Sequence, residues 1–146
     1  MDSIRADRLL ALPVRLHGIS LGRPADVLLD RNELRAVGLD LICGDDIHRF
    51  LPYATAAIHD DEIAIPSPLV LLEEDELAFY RARTFSLAAL RRGVVERGGR
   101  PSGTLVDVVL LSDGRLAEMI VERGGVEKRI DFDASVRFVP ATRSAA

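Results

Sequence analysis

Cys43 and His48 stand five residues apart in Ile42-Cys43-Gly44-Asp45-Asp46-Ile47-His48. At that spacing a thiol and an imidazole can meet across a turn as nucleophile and base. Cys43 also closes an apolar run, where cysteine acts as a small hydrophobe, and the core reading is preferred. His59-Asp60-Asp61-Glu62 brings one imidazole and three carboxylates together. With Asp45, Asp46 and His48 it would form a divalent-metal patch if the two turns met at one end of the fold. The competing reading is that these aspartates bond the backbone N–H groups of their own turns. Asp26 and Asp107 recur in matching contexts, a symmetric pair of carboxylates that invites acid/base chemistry. A repeated structural acid, accepting N–H groups from its own Gly-rich turn, is the stronger reading. Ser102, in Gly99-Arg100-Pro101-Ser102-Gly103, lacks the spacing of a nucleophile elbow. Arg81, Arg83, Arg91, Arg92, Arg97 and Arg100 make the most basic region. On one face they would meet RNA or an acidic partner, unless Glu96 and the acid run at 73–76 neutralise them. No catalytic, cofactor-binding or metal-binding residue is assigned, and no cofactor is expected.

The elements that must position these residues come in two similar sets. Gly18–Asp30 and Gly99–Leu111 align at an offset of 81, matching Gly18 to Gly99, Gly22 to Gly103, Asp26 to Asp107, Val27 to Val108 and Leu29 to Leu110. Roughly one such identity is expected for an arbitrary window of this length. Glycines four apart suit a tight connection with positive φ or a close backbone approach, and the apolar run after them suits a buried strand. Later in the chain the offset becomes 79, where Tyr53 falls on Phe132.

Turn residues divide the first half into short pieces. A helical turn within 2–11 stops at Pro13, and strands follow over Val14–His17, Ala25–Leu29, Leu34–Cys43 and Ile47–Tyr53. Ala54–Ile58 continues the last of these, and Glu62–Ile65 closes the set. After the solvated charges at 73–76, Phe79–Arg83 reads as a strand and Ser86–Leu90 as a helical turn. Strands then come at Val94–Arg97, Thr104–Leu111, Leu116–Glu122, Val126–Phe132 and Val136–Val139, with hairpin turns at Asp113-Gly114 and Gly124-Gly125. No stretch reads as a βαβ crossover, which argues against an α/β enzyme scaffold.

The balance of charge narrows the partners. A net charge of −4 with 5% aromatics and no Trp does not make a generic nucleic-acid surface. One cysteine excludes an internal disulfide and fits a reducing, cytoplasmic setting. The N-terminal stretch lacks the pattern of a secretory signal, and no uncharged run is long enough to span a bilayer.

Taken together, the Gly-rich turns each leading into D-V-x-L, the Asp113-Gly114 hairpin, the alternating strand after it and Asp131-Phe132-Asp133-Ala134 resemble the PRC-barrel. This is the small β-barrel of the photosynthetic reaction-centre H subunit and of the C-terminal half of the bacterial ribosome maturation factor. The resemblance covers about residues 10–72 and 85–140. It departs from the family at Asn32-Glu33, where Asp-Gly is usual. It implies a docking or assembly module with no shared catalytic residues. The H subunit's transmembrane helix and the maturation factor's separate N-terminal domain have no counterpart in the sequence.

The expectation is therefore a mainly β chain of two small antiparallel PRC-barrel-like barrels related by a pseudo-twofold repeat, with short helical turns. Repeat 1 spans 1–72, repeat 2 spans 73–140, and 141–146 is a frayed tail. The expected function is non-enzymatic binding of a protein partner of unknown identity, its own copy included as a homodimer. The alternatives are a ribosome-assembly or RNA-processing accessory and, behind it, a metal-dependent enzyme.

Overall fold

The computed structural model describes residues 2–139. Along the chain lie β1 (Ser3–Arg5), α1 (Ala6–Leu10), β2 (Val14–Leu16), β3 (Ile19–Asp30), β4 (Ala36–Cys43), β5 (His48–Pro52), β6 (Ala57–Ile58), β7 (Ile63–Ala64), α2 (Glu74–Arg83), β8 (Thr84–Ser86), α3 (Leu87–Leu90), β9 (Val94–Arg97), β10 (Arg100–Leu111), β11 (Leu116–Arg123), β12 (Val126–Asp131) and β13 (Val136–Val139). The fold is mainly β. One sheet is ordered β5-β4-β3-β2-β7-β6, with β8 also on β3; the other is ordered β12-β11-β10-β9-β13, with β1 also on β10. Among the described residues neither sheet closes on itself, so where two small barrels, closed or nearly so, were expected there are two open sheets.

The same pairing register runs through both sheets. Val27 faces Leu39, which faces Leu51; Val108 faces Met119, which faces Ile130. The offset between matching residues is 81 in β3 and β10, 80 in β4 and β11, and 79 in β5 and β12. Each hairpin in the second set is one residue shorter. Asp30 closes on Arg35 but Leu111 on Arg115, and Cys43 closes on Ile47 but Arg123 on Val126.

The two glycines of each matching stretch have separate tasks. Gly18 and Gly99 take φ of +81° and +79° in the turns, a region open to glycine. Gly22 and Gly103 instead lie inside β3 and β10, so the connections are shorter than expected. A Cβ on Gly103 would stand 2.6 Å from the Glu122 carbonyl oxygen, and one on Gly22 would strike that of Ile42.

The first strand of each half crosses to the other sheet. Ser3 pairs with Leu111 and Arg5 with Val109; at the same offset, Thr84 pairs with Asp30 and Ser86 with Leu28. Side chains from both sheets fill one continuous core, including Leu9, Val27, Leu39 and Leu51 from one half and Leu90, Val108, Met119 and Val121 from the other.

Two segments depart from the sequence reading. The acid run and the expected strand Phe79–Arg83 form one helix, α2. Glu74, Asp75 and Glu76 fill its first turn and Arg81 and Arg83 its last, complementing the helix dipole. Ala54–Ile58 does not extend β5; Tyr53–Thr55 makes a 3-10 turn, and the Thr55 hydroxyl donates to the Pro52 carbonyl at 2.8 Å. The expected tail at 141–146 lies outside the described residues.

Candidate functional site

Asp26 and Asp107 join the two sheets. Each accepts from a helix N-terminus of the opposite half, delivered by the crossing strands β1 and β8, and not from its own Gly-rich turn. The Asp107 carboxylate accepts from Asp7 N at 3.2 Å, Arg5 Nε at 3.1 Å and Arg91 Nη2 at 3.2 Å, and it is fully buried. Asp26 accepts from Ala88 N at 3.1 Å and from the Ser86 hydroxyl. Asp7 and Ala88 differ by the same 81 residues as the acids they bond. Both carboxylates thus cap the first turn of a short helix, and both act as structural clasps.

A polar cluster that the sequence did not reveal lies on the outer face of β4 and β5. Asp40 is buried; its carboxylate meets His48 Nδ1 at 2.7 Å and the Arg81 guanidinium from α2. The Arg81 guanidinium also comes within 3.5 Å of His48 Nδ1. Arg81 joins α2 to the Asp40–His48 pair; among the described residues no Ser, Thr or Cys hydroxyl or thiol is hydrogen-bonded to His48.

The remaining candidates do not converge. Cys43 is buried and free, and His48 turns to Asp40 instead of to it. Asp45 binds Arg49 through both oxygens, at 3.1 and 2.9 Å, and caps Ile47 N at 3.1 Å. The Arg49 guanidinium, then the Ile47 amide, hold this carboxyl below its ordinary value. Glu62 faces Arg15 at 3.5 Å and Asp60 faces Arg8 at 4.0 Å. Among the described residues no three His, Cys, Asp or Glu side chains are grouped to hold a metal ion. Within the arginine region three side chains lie on carboxylates: Arg81 on Asp40, Arg91 on Asp7 and Asp107, and Arg97 on Asp133 at 3.2 Å. Arg83 lies over the Phe79 ring, 3.6 Å from its centre. A cleft of about 630 Å³ opens where the sheets meet, lined by Ser3, Arg8, Tyr53, His59 and Ser112 among others.

The end strands β5 and β12 differ most. Phe50 exchanges both main-chain hydrogen bonds with Leu72, at 2.9 and 2.8 Å, and Pro52, the next outward-facing residue, has no N–H. Tyr80 of α2 stacks on the Phe50 ring at 4.1 Å and 10°, with Leu77 and Leu28 buried beside it. In β12, Phe132 N donates to the Ala117 carbonyl. By antiparallel alternation Lys128 and Ile130 face β11, and Glu127, Arg129 and Asp131 turn their N–H and C=O groups outward. Among the described residues no strand borders that edge. Arg129 stands where β5 has Phe50, its guanidinium on Glu118 at 3.1 Å.

No protein-family model matches the chain, and no curated protein matches it. Among the described residues no helix is long and apolar enough to cross a membrane.

The paired acids were visible in the sequence from their common offset. Their donors were not, because they arrive from strands with no shared identity, Ser3-Ile4-Arg5 and Thr84-Phe85-Ser86.

Proposed function

We propose that this chain is a non-enzymatic protein-binding module of the PRC-barrel kind, built from two copies of one β unit and docking its partner by strand addition at β12. The matching registers and the reciprocal clasps at Asp26 and Asp107 support a duplicated unit. One observation carries the docking reading: the main-chain groups of Glu127, Arg129 and Asp131 face outward on an edge that nothing borders among the described residues. An open edge is a ready template for another strand. Asp26, Asp40, Asp45, Asp107 and His48 are engaged in anchoring contacts, and Arg81, Arg91 and Arg97 each lie on a carboxylate, which favours docking over catalysis or RNA binding.

Arg129→Pro tests this. It removes an outward donor and sets a ring in the path of an incoming strand, while edge strands tolerate proline. In tagged chain recovered from native cells, bound proteins, its own copy included, are expected with the original chain and lost with the variant. Identical recovery from both would refute docking at β12.

A further inference from the structure

We infer that the strand added at β12 is the β12 of a second copy, antiparallel, with the twofold axis at Lys128. This rests on the docking reading and names its occupant. On the outer face of this hairpin Glu118 faces Asp131 and Glu122 faces Glu127, like charges set opposite one another. Arg129 is engaged by Glu118, so exposed Glu127 stands opposite an acid and would gain from a cation brought by a partner. Five registers, with the axis at 127 to 131, bring outward-facing groups into bonding position. With the axis at Glu127, that residue meets itself. With the axis at Arg129, that residue meets itself and Glu127 meets Asp131. With the axis at Ile130, Arg129 meets the partner's Asp131 and Glu127 gains no cation; with the axis at Asp131, that residue meets itself. With the axis at Lys128, Glu127 meets the partner's Arg129 on both sides of the axis, and the pair exchanges about four main-chain hydrogen bonds. On the core side the same register sets Val126, 62% exposed, against the partner's Ile130. Lys128 against its copy is the one unfavourable pair.

Sedimentation of the purified chain from ~10 µM to ~1 mM is the test. Concentration-dependent dimers are expected. Glu127→Arg alone and Arg129→Glu alone each make both cross-strand pairs repulsive and should weaken dimerisation at least ~10-fold. Mixed in equal amounts, the two variants should form a heterodimer, because every Arg then meets a Glu. Lys128→Thr, a conservative change on an exposed strand, should tighten the dimer. A chain that stays monomeric throughout, dimers indifferent to the charge variants, or variants that do not associate when mixed would overturn the inference. If the monomeric chain still recovers other proteins in an Arg129-dependent way, self-pairing alone has failed and docking at β12 stands.

Discussion

β5 and β12 hold the same place in matching registers, yet one edge is sealed and the other open. The difference begins at one position. Phe50 gives α2 an aromatic surface to stack on and binds Leu72 through its backbone; Arg129 gives a charge that reaches Glu118 and leaves its backbone facing outward. Directly across the sheet the chemistry is reversed, with buried Asp40 beside Phe50 and buried Ile120 beside Arg129. A single pairing scheme therefore supports either a covered face or a free edge, according to where the charge is placed.

The widest contrast should come from the clasps. Asp107→Ala strands Arg5 and Arg91 beside a vacated, fully buried site and should cost about 3–5 kcal/mol. Asp26→Ala removes hydrogen bonds from neutral donors at a partly exposed site and should cost about 1–3 kcal/mol. Urea unfolding of both variants measures the difference; equal losses would mean that the clasps are energetically alike. Next, Leu77→Ala removes the one buried side chain of α2 and should cost about 2–4 kcal/mol. It should also raise hydrogen exchange at Phe50 without changing Arg129. A variant that leaves Phe50 protected would show that Leu72 alone seals β5.

The smallest effect is expected at high pH. Burial, then the nearby Asp113 charge, pushes the Tyr53 hydroxyl up to about 12. The unfolded chain loses this proton near the ordinary phenol value while the folded chain keeps it, so stability is full below pH ~10 and falls as pH rises toward 12. Tyr53→Phe should flatten that alkaline slope and leave stability at pH 7 nearly unchanged, as read from urea midpoints across the range.

Much of the strand pattern was legible because turn chemistry is local. Asp113-Gly114 and Gly124-Gly125 announce hairpins, and the change of offset from 81 to 79 foretells the two shortened loops. What was hidden depends on distant partners. α2 has one buried anchor and no apolar stripe, so no helical period marks it. Asp40, His48 and Arg81 come from three elements and meet only after α2 docks. The exchanged strands are three residues each, too short to alternate. Asp26 and Asp107 could be singled out as a pair, but not that each would close on the other half.

Residue-resolved hydrogen exchange on the dilute chain tests the open-edge claim most directly. The amide of Arg129 should exchange freely and that of Phe50 should be strongly protected, with Arg129 gaining protection as concentration rises. An Arg129 amide protected as well as Phe50 in dilute solution would contradict the account.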